Sequence, residues 1–366
     1  MTAINHLTLE GFKSIKELDR FELSWLNMLI GPNGAGKSNL ISFFRLLNRL
    51  VEGQLQRYVA QQGGANAFLH NGPKVTQQIY AELLFGNNGY RLALEPDVEG
   101  NLFFAREEMH FKGVVYPRPS DVPLGSGHRE SKLPQPAEIK PGSIASYVVP
   151  TLQSYRVYHF QDTSETAGVK LPGQMNDTRF LRADASNLAA FLRVLKFTQP
   201  VRYARIRETI QLAAPFFDDF VLEPVTENPE LIRLEWRQKG LDYPFLAHHL
   251  SDGTLRFMAL TVLLLQPLPP SMIILDEPEL GLHPVAIELL ASLLHEAALH
   301  GQVLASTQSP LLINHFEPED VVVVDRVEGS SSFRRLEKDS LREWLQDYSL
   351  GELIQKNIIE AGPRNE

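Results

Sequence analysis

Lys37 and Ser38 close the run Gly31-Pro32-Asn33-Gly34-Ala35-Gly36-Lys37-Ser38-Asn39, which has the spacing Gly-x-x-x-x-Gly-Lys-Ser. Glycines at these places let backbone N–H groups turn inward around a phosphate with no Cβ in the way. The lysine of such a loop reaches the β- and γ-phosphates, and the serine hydroxyl ligates Mg²⁺. The chemistry needs a buried strand before the loop and a helix after it. Met28-Leu29-Ile30 supplies an apolar strand, and Leu40, Ile41, Phe44 and Leu47 recur at helical spacing. That helix adds its N-terminal partial positive charge to the phosphate site. The stretch predicts nucleotide binding and leaves open what the nucleotide is for.

Acids follow much later. In Met272-Ile273-Ile274-Leu275-Asp276-Glu277-Pro278-Glu279 an apolar strand ends in two carboxylates. Beside a phosphate loop, Asp276 is expected to hold Mg²⁺ together with Ser38, and Glu277 to polarise an attacking water. The alternative is a buried strand followed by an acidic turn. Leu250-Ser251-Asp252-Gly253-Thr254-Leu255-Arg256 precedes an apolar helix, with Ser251 lying 25 residues before Asp276. Taken alone, Ser251 there is a helix cap. A fourth stretch, Val303-Leu304-Ala305-Ser306-Thr307-Gln308-Ser309-Pro310, ends another apolar strand in polar residues.

In this order the four motifs resemble the RecF/SMC-like branch of ABC-type ATPases, in particular bacterial AAA-type "predicted ATPase" proteins related to the ATPase half of the OLD nucleases. The opening Leu9-Glu10-Gly11-Phe12-Lys13-Ser14 and the string from Asp276 through Gly281-Leu282-His283-Pro284 add to the likeness. The family signature begins Leu-Ser-Gly-Gly, and this chain has Asp252 at the first of those glycines. Where such ATPases carry a switch histidine it has Gln308, which can donate a hydrogen bond but carries no charge.

The resemblance implies an α/β P-loop NTPase fold: an ABC-type head with a mixed, largely parallel sheet, an antiparallel β subdomain and an inserted helical subdomain. It implies ATP and Mg²⁺ as cofactors and an ATP-dependent homodimer. Two heads would sit head to tail, with ATP between the loop of one and Ser251 and Gly253 of the other. Residues 281–284 would communicate across that interface. Gln161, at the end of a strand, is the candidate Mg²⁺-contacting glutamine, its alternative a solvated strand end. Phe12 lies either near the adenine or in the core. Catalysis would rest on Lys37, Glu277 and Gln308. A separately encoded effector in DNA repair or antiphage defence is the expected partner. The alternatives are a nucleotide-gated binding module with little turnover and a transporter ATPase subunit. The SMC-type arm is missing, since no long heptad run occurs, and the stretch after Pro310 is too short for the OLD nuclease domain.

The elements that must position these residues form one head over 1–366. Expected within it are an N-terminal lobe (1–115), a loop-rich insertion (116–185), a helical and strand insertion (186–245), a signature lobe (246–325) and a short C-terminal extension (326–366). Apolar alternation predicts strands at 4–12, 21–23 and 27–30, then 78–85, 90–95, 101–106 and 109–115, with a hairpin at Gly86-Asn87-Asn88-Gly89. Residues 54–64 read as a Gln/Gly connector and 116–142 as a proline-rich surface loop. Helices are expected at 187–197, 201–213, 253–265, 285–299, 340–346 and 350–358. Strands are expected at 155–160, 217–224, 231–237, 272–275, 302–306 and 320–325. In the last third this alternation predicts a parallel sheet with crossover helices.

A net charge of −9 argues against a uniformly basic nucleic-acid surface. A local basic face could still contact DNA, and Arg193, Lys196, Arg202, Arg205 and Arg207 either form one or are solvated. With no cysteine there is no disulfide framework, as suits the cytoplasm. Met1 to Leu9 lacks the pattern of a signal peptide. The longest apolar run, Leu255 to Leu265, is too short to span a bilayer, so no membrane association is expected.

Overall fold

The computed structural model describes residues 3–113 and 120–359. The expected strand end at 114–115, the first part of the proline-rich stretch (116–119) and residues 360–366 lie outside these.

Alternation along the strands decides the layering. In Leu26–Ile30, Met28 and Ile30 enter one apolar core and Leu29 the other. In Met272–Asp276 the same division sets Ile273 and Leu275 against Met272 and Ile274. Val303 and Ala305 part from Leu304 in the same way, and Val321 and Val323 from Val322 and Val324. Successive side chains of a strand point to opposite faces, so strands apolar at every position must be covered on both.

These strands form a six-stranded sheet in the order Ser330–Arg335, Val321–Val327, Leu26–Ile30, Gln302–Thr307, Met272–Asp276, Tyr155–Tyr158. All neighbours run parallel except the first pair, an antiparallel hairpin. The helix Lys37–Val51 and a six-stranded antiparallel sheet share the core on one face. The helices Leu188–Thr198, Pro200–Ala213, Asp252–Leu265 and Pro284–Ala298 share the core on the other. The mixed sheet, the antiparallel sheet and the helical insertion expected from the sequence are all present.

Topology places the site. Register sets Asp276 opposite Ser306 and Thr307 opposite Ile30. The carboxyl ends of three adjacent parallel strands therefore converge where the phosphate loop leaves Ile30, the edge at which open α/β sheets bind ligands.

Several local expectations are corrected. Residues 55–61 form a helix, Leu55–Gln61, whose Leu55 and Val59 are buried one turn apart; the surrounding glutamines masked that pair. Within the proline-rich stretch, Ser120–Gly125 is a strand paired with Leu102–Phe111. It is the edge strand, where Pro123 interrupts no further ladder. The strands expected at 101–106 and 109–115 are one, Leu102–Phe111. Helix Ala145–Ser154 buries Val148, Val149 and Leu152 despite Pro150 within it. The strand Ser330–Arg335, polar and serine-rich, gave no alternation signal. The hairpin turn lies at Gly86-Asn87, since Phe85 pairs with Asn88, and Gly86 takes φ +58°.

Candidate nucleotide-binding site

The phosphate loop is shaped by glycines whose backbone other residues could not adopt without strain. Gly34 and Gly36 have φ of +82° and +116°. A Cβ on Gly31 would lie 1.9 Å from the Val324 carbonyl oxygen, so the loop passes directly against the neighbouring strand. The helix Lys37–Val51 begins at Gly36 with no side-chain cap. A helix start left without a side-chain cap is an arrangement that suits a phosphate.

Lys37 is buried and curls over the loop, its Nζ donating to the carbonyls of Gly31 (2.5 Å) and Pro32 (3.0 Å). Burial pulls its pKa below the ordinary lysine value, while the charges of Glu277, Asp276 and Glu279 oppose that shift. The Ser38 hydroxyl donates to Asp276 Oδ1 at 3.2 Å, and Ser306 Oγ donates to the same oxygen at 2.5 Å. Arg45 approaches the other oxygen, its Nη2 3.8 Å from Asp276 Oδ2 and 3.5 Å from His159 Nδ1. Burial, with the Arg45 charge as a second cause, lowers the His159 pKa. Gln161 Nε2 donates to the Asp276 main-chain carbonyl at 3.0 Å, which places this glutamine beside the aspartate.

Glu277 occupies the left-handed region at φ +47°, and its N–H donates to Ser306 O (3.0 Å) and Oγ (3.2 Å). Gln308 Nε2 donates to Glu277 Oε1. Ser38 and Asp276 thus form one hydrogen-bonded pair and Gln308 and Glu277 another, with Ser306 bonded to both acids.

The signature segment does not join them within one chain. Ser251 is exposed and caps its own helix, its Oγ accepting from the Thr254 N–H at 3.2 Å. Among the described residues it has no hydrogen bond to the phosphate loop. Gly253 is needed for packing: a Cβ there would stand 2.3 Å from the Gly281 carbonyl oxygen. Phe12 is fully buried, edge-on to Phe43 at 5.8 Å, and belongs to the core. Of the basic residues on the helical pair, Arg193 donates to Leu222 O, Lys196 pairs with Asp219 and Arg205 pairs with Glu296 through both nitrogens. Three of the five are already paired within the chain, which weakens the case for a nucleic-acid face.

Sequence reasoning missed the support behind the loop. Ser331 Oγ donates to the Ala35 carbonyl (2.6 Å) and lies 2.6 Å from Ser14 Oγ, which accepts from Asn39 Nδ2 at 2.6 Å. A hydroxyl has one proton, so Ser14 donates to Ser331 and Ser331 to Ala35. Ser331 also fills the place a Cβ on Gly36 would take, 1.9 Å from its Oγ. Ser14 falls in the quoted opening motif; Ser331 carried no signal. Ser331→Ala leaves the Ala35 carbonyl unpaired, a cost of about 1–3 kcal/mol. Titration of the variant with a fluorescent ATP analogue should show weaker binding, and unchanged affinity would separate this chain of hydroxyls from the loop's function.

The donor set fits Mg²⁺ held through a nucleotide. Among the described residues no cluster of three or more His, Asp or Glu could hold a metal alone. Magnesium is commonly held by one or two carboxylates with substrate phosphates and waters, and Asp276 with Ser38 supplies the protein's share.

The fold is that of a P-loop head resembling those of SMC proteins, with the phosphate loop at the carboxyl edge of its parallel sheet. The chain belongs to the family described as "AAA domain, putative AbiEii toxin, Type IV TA system", which it matches over residues 26–106 and 155–314. No curated protein matches the sequence. Among solved structures it is similar to an SMC head bound to the C-winged helix domain of ScpA, with 16% identity and a TM-score of 0.57, over 93% of this chain and 99% of that one. It is also similar to an SMC head with an extended coiled coil bound to the C-terminal domain of ScpA from Pyrococcus furiosus, with 14% identity and a TM-score of 0.60, over 95% and 99%. No described helix is long and apolar enough to cross a membrane.

Proposed function

We propose that the chain is a Mg²⁺-dependent ATPase head that dimerises around ATP and gates a separate effector. One observation carries the hydrolytic part: beside the phosphate loop Ser38 bonds to Asp276 and Gln308 to Glu277, and Ser306 bonds to both acids. In this reading Gly31, Pro32, Asn33, Gly34, Ala35, Gly36 and Asn39 shape the cradle, and Lys37 leaves its loop carbonyls to bind the β/γ-phosphates. Ser38 and Asp276 hold Mg²⁺, with Gln161 beside them. The metal, when bound, neutralises charge on the phosphates. Glu277 takes a proton from the attacking water. Gln308 senses the γ-phosphate by hydrogen bonding.

Ser251 and Gly253 act in trans in this proposal. Ser251 is exposed at a helix start and turned to no group of its own phosphate loop, as a residue serving a second copy would be. The five segments given by the sequence would work as one head. Action in DNA repair or antiphage defence, a cytoplasmic setting and the tie to OLD-type ATPases rest on resemblance. The family's description names a putative toxin of a toxin–antitoxin system, which suits a defence role without naming the effector.

A second reading, a nucleotide-gated module with little turnover, is favoured by the Gln308 amide lying on Glu277 Oε1, where it occupies the base. Steady-state phosphate release with Mg²⁺-ATP, followed beside light scattering, separates the two. The first expects turnover and an ATP-dependent doubling of mass, the second doubling without turnover. Neither change would reject both.

A further inference from the structure

Glu279 stands three residues beyond Asp276 in the turn toward the helix Pro284–Ala298. It is only 7% exposed, an unusual place for a carboxylate that forms no salt bridge among the described residues. Its Oε1 accepts from the Thr307 hydroxyl and from the Gln308 N–H at 3.3 Å. The Thr307 hydroxyl oxygen in turn accepts from the Ser309 N–H at 2.9 Å. Three consecutive residues at the end of the strand Gln302–Thr307 therefore hang from this one side chain. Its Oε2 is buried with no hydrogen-bond partner among the described residues. Leaving a carboxylate oxygen in that state costs free energy, and burial raises its pKa above the ordinary value, with Glu277 adding to the effect.

The strain lies beside the reacting groups. Gln308 is fixed at its main chain by Glu279 and reaches Glu277 with its side chain. We propose that Glu279 is a positioning residue for hydrolysis: it sets the conformation of residues 307–309 that holds the Gln308 amide against the Glu277 carboxylate. The inference rests on the ATPase reading and extends it to a side chain that touches neither nucleotide nor metal in that scheme. Without Glu279 the strand end can settle elsewhere. A displacement of about 1 Å in a group serving the chemistry is enough for a hundredfold loss.

The experiment compares kcat and KM for ATP among the wild type, Glu279→Ala, Glu279→Gln, Gln308→Ala and the Glu279→Ala/Gln308→Ala double variant. Glu279→Ala should lower kcat about 10–100-fold with KM little changed. Glu279→Gln keeps an acceptor for Thr307 and Gln308 and should recover most of the rate. Because Glu279 acts through Gln308, the double variant should be no slower than Gln308→Ala. A purely structural residue would lower the melting temperature and show independent, multiplying losses. Multiplying losses, a change confined to KM, or wild-type kcat in Glu279→Ala would overturn the proposal. If Glu279→Ala fails to fold, Thr307→Val combined with Gln308→Ala gives the same cycle. No turnover by the wild type would reject the hydrolytic reading itself and this inference with it.

Discussion

Glu277→Gln should bind ATP as the wild type does and lose hydrolysis by about 10²–10⁴-fold, the range a positioned general base contributes. The substitution keeps the shape and both main-chain hydrogen bonds from the Glu277 N–H to Ser306. It removes only the capacity to accept a proton. If the head closes on a second copy when ATP is bound, the variant should accumulate as that closed dimer, seen by light scattering as a stable doubled mass. The backbone sharpens the test. At φ +47° residue 277 is in a region that costs a non-glycine residue about 1–3 kcal/mol, so Glu277→Gly should also lose hydrolysis but gain stability. Strain of this kind is tolerated where it aims a side chain. A Glu277→Gln variant with undiminished phosphate release would remove Glu277 from its role, and a fast variant that still dimerises would leave only the gating half of the proposal.

The parts that could be read in advance are those whose signal is local. Val321 to Val324 and Met272 to Leu275 are apolar at every position because both faces of their strands are covered, and a run of that kind declares itself. The phosphate loop is equally local, since its glycines, lysine and serine lie within eight residues. What stayed hidden depends on meetings between distant segments. Ser331 supports Ala35 across 296 positions, and a serine-rich strand looks like a loop until its hairpin partner is known. Glu279 lay inside a recognised string, yet only its burial and its bond to Thr307 distinguish it from a solvated acid in a turn. Pro123 misled in the opposite direction. Proline excludes only an N–H that must donate, and at a sheet edge that requirement is absent.

Arg256→Met should separate nucleotide binding from hydrolysis by a different route. Arg256 lies on the helix that begins at Ser251 and is almost fully buried. Its Nε donates to Phe160 O at 3.1 Å and its Nη2 to Gln161 O at 3.2 Å. Burial lowers its pKa, with Asp252 opposing the shift, but a guanidinium stays charged. Gln161 in turn holds the Asp276 carbonyl, so one side chain links the helix that begins at Ser251 to the strand Met272–Asp276. On its other side, a Cβ on Gly281 would come within 3.2 Å of Arg256 Nη1, which fixes how closely the 281–284 segment can approach. Methionine retains the apolar volume and strands the buried Phe160 carbonyl and the half-buried Gln161 carbonyl, a loss of about 1–3 kcal/mol for the buried one if it finds no new donor. The loop Gly31–Ser38 makes none of these contacts, so ATP affinity should stay near wild type while kcat falls and ATP-driven dimerisation weakens. Arg256→Lys tests geometry against charge: one ammonium cannot follow the planar fork to two carbonyls, so it should rescue stability in part and coupling hardly at all. Full recovery of kcat in the lysine variant would show that the charge alone is needed, and the link through Gln161 would then fall.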